Sequence, residues 1–170
     1  MRRTLAAPGL AAVLGMALLL TACGKTNAHN NTAGETVSTA LFDFSITDVS
    51  LVESYPGIDI PDGECLVRMR LNIKNTSSQT YTMFLQDFQI QWGVDDNDYA
   101  YAAPITYYGN TVSDEQLPEE YDLGVNEEKT GLLVYEVPED SKDYSISYLE
   151  QFSNDTEGDV FFVFFTAKDK

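Results

Sequence analysis

The sequence predicts an all-β domain, a two-sheet antiparallel β-sandwich of seven or eight strands. Three observations carry that expectation. Apolar and polar residues alternate with a period of two along most of the chain after residue 40. Turn-forming residues interrupt the alternation at short, near-regular intervals, as Pro56-Gly57, Asp62-Gly63 and 93–98 (GVDDND) do. No internal repeat and no amphipathic helical stretch of useful length competes with the pattern. Strands with one apolar and one polar side bury the apolar side when two sheets face each other.

The chain opens on a leader. Arg2 and Arg3 precede an apolar run over 4–20 that holds Pro8 and Gly9, and small residues Thr21 and Ala22 lead into Cys23. The run is at the short end of what crosses a bilayer and a polar stretch follows at once, so residues 1–22 read as a secretory signal. The order Leu20-Thr21-Ala22-Cys23 resembles the lipobox of bacterial lipoproteins. That resemblance implies cleavage before Cys23 and a diacylglyceryl group on its thiol. The plainer alternative is an ordinary secretory signal with a cysteine beside its cleavage site. Two acyl chains anchor a protein stably where one does so only marginally. The expected partner of Cys23 is therefore the membrane, and the expected location the extracytoplasmic face of the cell membrane.

Residues 24–39 (GKTNAHNNTAGETVST) carry no large apolar side chain except Val37. Such a stretch buries too little to order itself, so residues 23–39 are expected to be a disordered tether able to extend roughly 50 Å. The folded domain is then expected over 40–170, a length of about 130 residues that suffices for one core.

Within it, Phe42, Phe44 and Ile46 alternate with Asp43, Ser45 and Thr47, and Val49 and Leu51 resume in the opposite phase. This predicts a bulge near Thr47-Asp48. Along 65–74, Cys65, Val67, Met69, Leu71 and Ile73 share one side and Leu66, Arg68, Arg70, Asn72 and Lys74 the other. Phe84, Phe88, Ile90 and Trp92 form the next apolar face, with Trp92 a candidate core residue. Residues 99–108 (YAYAAPITYY) follow as a strand that Pro104 assigns to a sheet edge. Residues 109–129 read mostly as an acidic connection, and strand-like runs resume at 130–137, 144–149 and 159–168.

Composition excludes several functions. The formal net charge is −17, and removing residues 1–22, which hold Arg2 and Arg3 and no acid, makes it −19. So acidic a chain lacks the Lys and Arg that neutralise phosphates, and no nucleic acid is expected as a partner. The only histidine, His29, falls in the tether, which leaves none for a Ser-His-Asp, Cys-His or zinc site within 40–170. No G-x-S-x-G or phosphate-binding glycine loop occurs. With Cys23 committed to lipid, Cys65 has no second cysteine for a disulfide, and its phase predicts a buried, inert thiol. A non-enzymatic monomer is expected.

Residues 67–78 (VRMRLNIKNTSS), 87–102 (DFQIQWGVDDNDYAYA) and 130–140 (TGLLVYEVPED) resemble a group of immunoglobulin-like domains. The group occurs in bacterial lipoproteins and secreted proteins, mostly Gram-positive. It is classed as a domain of unknown function and related to an immunoprotective extracellular mycobacterial antigen. The resemblance covers roughly residues 41–168. It implies an immunoglobulin-like sandwich outside the cytoplasm with a binding or structural role, and it assigns no catalytic residue.

Several surface features are candidate sites. Asp95, Asp96 and Asp98 crowd the hairpin after Trp92, and calcium favours clustered carboxylate and carbonyl oxygens. Asp and Asn also suit ordinary turns because they tolerate left-handed backbone. The turn 154–159 (NDTEGD) offers the same two readings. The run 160–165 (VFFVFF) is apolar on both sides, Phe161, Val163 and Phe165 against Val160, Phe162 and Phe164. The 109–129 connection is expected to cover the outer set; otherwise Phe162 and Phe164 belong to a partner-binding surface. Asp155, Glu157 and Asp159, with Lys168 and Lys170, read as charges that guard this run against aggregation. Arg68, Arg70 and Lys74 share a polar face and are expected to pair with acids across the sheet, an anion-binding stripe being the alternative. The function that follows is a lipid-anchored module binding a protein or glycan of the cell envelope. A calcium-stabilised adhesion module and a carboxylate-based hydrolase of wall polymers are the alternatives.

Overall fold

Eleven strands run through the described residues of the computed structural model, which are 26–95, 98–105, 113–152 and 156–167. In order they are β1 (Ala28–Thr32), β2 (Val37–Ser38), β3 (Phe42–Val52), β4 (Glu64–Asn75), β5 (Tyr81–Phe84), β6 (Gln89–Asp95), β7 (Asp98–Ala102), β8 (Glu120–Leu123), β9 (Glu128–Pro138), β10 (Asp143–Gln151) and β11 (Glu157–Thr166). Seven of them, β3, β4, β6, β7, β9, β10 and β11, fall on strands or strand-like runs that the sequence predicts. A sheet in the order β1-β11-β10-β6-β7 packs on one in the order β2-β3-β4-β9, and β5 pairs with β8 alongside. We call the first the β11 sheet and the second the β4 sheet. Every ladder is antiparallel except that of β1 with β11.

Alternation decides which side of each strand is buried, because successive side chains point to opposite faces. Phe42, Phe44, Met69, Leu71, Leu133 and Tyr135 of the β4 sheet meet Phe88, Ile90, Ile146, Tyr148, Phe161 and Val163 across the core. The ring of Tyr148 lies 4.8 Å from that of Phe42 and 5.5 Å from that of Phe88. The Tyr135 hydroxyl donates to the Phe88 carbonyl at 3.0 Å, which ties the two sheets together, and burial raises this phenol well above its ordinary range. Cys65 lies on the buried side, as its phase predicts, and Trp92 packs partly buried at the rim of the core. The β3–β4 register shifts between Thr47 and Ser50, where Asp48 has φ +53°, so the bulge falls where the phase reversal places it. β7 is an outer strand and ends before Pro104.

Three expectations are corrected. The tether over 23–39 is not disordered throughout: β1 and β2 lie within it, and Val37 is buried. A polar segment pairs its backbone as well as an apolar one does. Here β1 occupies an edge of β11 whose N–H and C=O groups otherwise lack protein partners. Phe84, expected on one face with Phe88, is 39% exposed; a 3₁₀ turn over Leu85–Asp87 breaks the alternation and buries Leu85 instead. Finally, the 109–129 connection contains β8, and its residues 115–117 run along β9, not over Phe162 and Phe164. The Leu117 amide donates to the Leu132 carbonyl at 3.3 Å and the Leu132 amide to the Glu115 carbonyl at 2.8 Å. Gly131 makes room for this, since a Cβ there would lie 2.9 Å from the Leu117 nitrogen.

Candidate binding face

Register brings the outward-pointing residues of the β11 sheet into rows. Thr32 of β1, Phe164 of β11, Ser145 of β10, Gln91 of β6 and Tyr101 of β7 are successive cross-strand partners. Beside that row run Asn30, Phe162, Ser147 and Gln89. Neither row contains a carboxylate, an amine or a guanidinium. Phe164 is 46% exposed and Tyr101 68%, whereas Phe162 is half-buried, its ring 6.1 Å from that of Phe164. Ser145 and Ser147 are buried between their neighbours. The side-chain amides of Gln89 and Gln91 make no hydrogen bond to the described residues.

Two shallow grooves border the rows. One, of about 310 Å³, is lined by Gln89, Gln91, Ser147, Leu149, Val160 and Phe162, with Asp87 at its rim. Asp87 is partly enclosed, which raises its carboxyl pKa, and it accepts a hydrogen bond from the Phe84 amide at 2.9 Å. The other groove, of about 170 Å³, is lined by Gln91, Trp92, Gly93, Tyr144, Ser145 and Phe164, with Asp143 at its margin, where it accepts a hydrogen bond from the Thr166 hydroxyl at 2.6 Å. Rings, amides and hydroxyls are groups that can contact a ligand. Phe162 and Phe164 are therefore brought together with residues the sequence reading did not single out. One signal was available: in 99–102 (YAYA) the tyrosines and alanines alternate in an outer strand, with Tyr101 out and Ala100 and Ala102 on the core side.

The edge of this sheet is fastened by residues read differently from the sequence. His29, assigned to the tether, stacks on Phe161 with ring centroids 4.7 Å apart, and its Nε2 lies 2.7 Å from Asp159 Oδ2. Asp159 Oδ1 accepts from the Asn27 backbone and side-chain nitrogens, each at 3.0 Å. The carboxyl is held below its ordinary range, first by the hydrogen bond to His29 and next by that from the Asn27 amide. Asp159 is thus a latch for β1 and not only a guarding charge. Glu150, buried at 5% exposure, continues the fastening: it accepts from the Ala40 amide at 2.6 Å and from the Asp159 amide at 3.0 Å.

The remaining candidates do not converge. Asp95 and Asp98 pair at the β6–β7 turn, but Asp96 lies outside the described residues, as do Asn154 and Asp155 of the second acidic turn. Among the described residues no three His, Cys, Asp or Glu side chains group as metal ligands do. Arg70 pairs with Asp48 at 3.2 Å and Lys74 with Glu128 at 2.7 Å, as expected of cross-sheet pairs. Arg68 departs from that expectation, its buried Nε having no hydrogen-bond partner. A wide groove of about 1050 Å³ at one end of the sandwich, lined by Glu53, Asp62, Glu64, Glu139 and Asp140 with Lys142, is strongly acidic.

The model of a family described as "Domain of unknown function (DUF4352)" matches residues 32–158. No curated protein matches the chain. Among solved structures, a "putative lipoprotein (ycdA)" of Bacillus subtilis aligns with a TM-score of 0.62 at 17% identity, over 79% of this chain and 39% of that one. The chain therefore spans well under half of that relative's length. The yjhA protein of Bacillus subtilis gives 0.52 at 17% identity, over 79% of this chain and 98% of that one. A "putative lipoprotein" of Staphylococcus aureus gives 0.52 at 12% identity, over 80% and 90%. At these identities the likeness is one of fold.

Proposed function

The chain belongs to the DUF4352 family, and from its own residues we propose that it is an immunoglobulin-like binding module, held to the extracytoplasmic face of a bacterial membrane by lipid on Cys23. The observation that carries the reading is the pair of uncharged rows of aromatic rings, side-chain amides and hydroxyls on the outward face of the β11 sheet. The lipobox-like Leu20-Thr21-Ala22-Cys23 supports the anchor. So do the descriptions of the Bacillus and Staphylococcus neighbours as lipoproteins. Kinship with the mycobacterial antigen group is part of the same reading. The module is non-enzymatic and its partner is a component of the envelope.

Order in β1 brings the domain close to its anchor. Asn27 is bonded to Asp159, so only four residue steps separate the fastened chain from Cys23, a reach of about 14 Å at most. The excess of acidic groups repels an anionic lipid surface and holds the domain off it. The bound component then lies in the layer immediately outside the membrane.

The test has two parts. Cys23→Ala is expected to move the protein out of the membrane fraction; a variant that stays there overturns the anchor. The full chain, solubilised in mild detergent, is expected to co-sediment saturably with membrane-free cell walls of the producing bacterium. Absence of co-sedimentation overturns the binding module.

A further inference from the structure

We infer that the outward face of the β11 sheet binds a neutral, hydroxyl-rich glycan chain laid across the strands from Tyr101 to Phe164; this rests on the binding-module reading and names its ligand class. Two exposed rings stand on one cross-strand row, Tyr101 at its end and Phe164 next to Thr32, with Gln91 and Ser145 between them. Three strand spacings separate them, about 14 Å. A glycan presents apolar C–H faces and hydroxyl edges in alternation along its length. Rings receive the first, and groups that both donate and accept receive the second; amides and hydroxyls do both.

Charge selects against other ligands. The chain carries a formal −17, yet neither row holds an ionised group. An anionic polymer is repelled by the domain as a whole, and a cationic one is drawn to the acidic groove lined by Glu53, Asp62, Glu64, Glu139 and Asp140. A neutral polymer feels neither force. A protein partner is disfavoured by layout, because protein interfaces centre on a contiguous apolar anchor. Here Gln91 and Ser145 split the apolar area into separate rings. The shallow grooves on either side of the rows leave room for a chain of rings with side substituents, and the one carboxylate in each, Asp87 and Asp143, offers oxygens that accept hydrogen bonds from hydroxyls.

The experiment uses the detergent-solubilised full chain and membrane-free walls as the probe, with soluble neutral glucan and mannan as competitors. Binding is expected to survive proteinase treatment of the walls and to change less than twofold between low and high salt, since screening weakens only charged contacts. Tyr101→Ala and Phe164→Ala are each expected to weaken it at least tenfold. Gln91→Glu, which adds a charge and removes no ring, is expected to do the same. Arg70→Ala, on the opposite sheet, is expected to leave it unchanged. Loss of binding after proteinase overturns the glycan but leaves a binding module with a protein partner. Strong salt dependence overturns the neutral ligand. Wild-type binding by all three variants of the row overturns the face. No wall binding by the wild type removes the module and the glycan together.

Discussion

The two outward faces of the sandwich are made by the same kind of alternating strand and end in opposite chemistry. On the β4 sheet the outer phase is charged or covered. Lys74 meets Glu128 and Arg70 meets Asp48, while Tyr55, Ile58 and Ile60 of the 53–63 loop pack over Leu66 and Val134. On the β11 sheet the two central rows of the outer phase carry Asn, Gln, Ser, Thr, Phe and Tyr, with Asp143 only at their margin, and nothing described lies over Phe164 or Tyr101. A charge answered across its own ladder has its hydrogen bonds and asks for no ligand. Amides and rings left unanswered are what a ligand uses. The formal charge of −17 therefore says less about function than the place from which charge is missing.

The largest expected effect comes from neighbours in β11 that point opposite ways. Phe161 is buried at 5% exposure and touches His29 and Tyr148, so Phe161→Ala is expected to destabilise by about 3–5 kcal/mol. Phe164→Ala, on the exposed phase, is expected to stay within about 0.5 kcal/mol. Chemical denaturation of the two variants measures the difference. Equal losses mean that the outer phase of β11 is a second core, and the comparison of faces fails.

Glu150→Gln comes next. The carboxylate accepts two backbone hydrogen bonds with its two oxygens, and an amide offers only one acceptor. The Ala40 or the Asp159 amide loses its partner, at a cost of about 1–3 kcal/mol. Faster hydrogen exchange at 28–38 than in β4 is the signature. Uniform exchange across both sheets would show that Glu150 does not serve the β11 edge in particular.

Legibility in the sequence followed the apolar period. β3, β4, β6 and β10 were readable because each carries one apolar phase that only one register buries, β9 and β11 as short runs apolar on both sides, and the bulge at 47–48 as a reversal of phase. β1 was not, because 28–32 (AHNNT) has nothing to bury and is held by backbone pairing and by Asp159, 130 positions from His29. The 3₁₀ turn at Leu85–Asp87 was hidden for a related reason: Phe84 and Phe88 keep an even spacing through it. Of the candidate face, Phe162 and Phe164 were visible as excess apolar residues. Gln91, Ser145 and Tyr101 were not, since a row across four strands exists only once three registers are fixed.

Arg68 sharpens the comparison from the charged side, with a smaller effect of opposite sign. Its Nε is buried without a hydrogen-bond partner, and so is the hydroxyl of its cross-strand partner Ser50. Arg68→Met keeps the aliphatic stem and removes the unanswered donor. A gain of about 1 kcal/mol is expected in denaturant midpoint, with no change in wall binding. A loss of stability would mean that the β4 face depends on this charge as it does on the pairs at Arg70 and Lys74.

The smallest effect is a local one, at the latch of β1. Asp159 is held below the ordinary carboxylate range by His29 and then by Asn27. A carboxyl depressed on folding contributes stability above its unfolded value, near 3.9, and loses it as pH falls through its lower folded value. β1 is thus fastened at neutral pH and released in acid, below pH ~4. Hydrogen exchange at 28–32 is expected to rise in that range ahead of the rest of β11, and Asp159→Asn is expected to show weakened protection already at pH 7, with no acid step. A variant that keeps the wild-type acid profile would place the latch elsewhere. Because Asn30 and Thr32 stand at the ends of the two rows, opening β1 in acid also shortens the face that Phe162 and Phe164 share with Ser145 and Ser147. Wall binding should weaken modestly over the same pH range, while the charged pairs of the β4 face have no part in it.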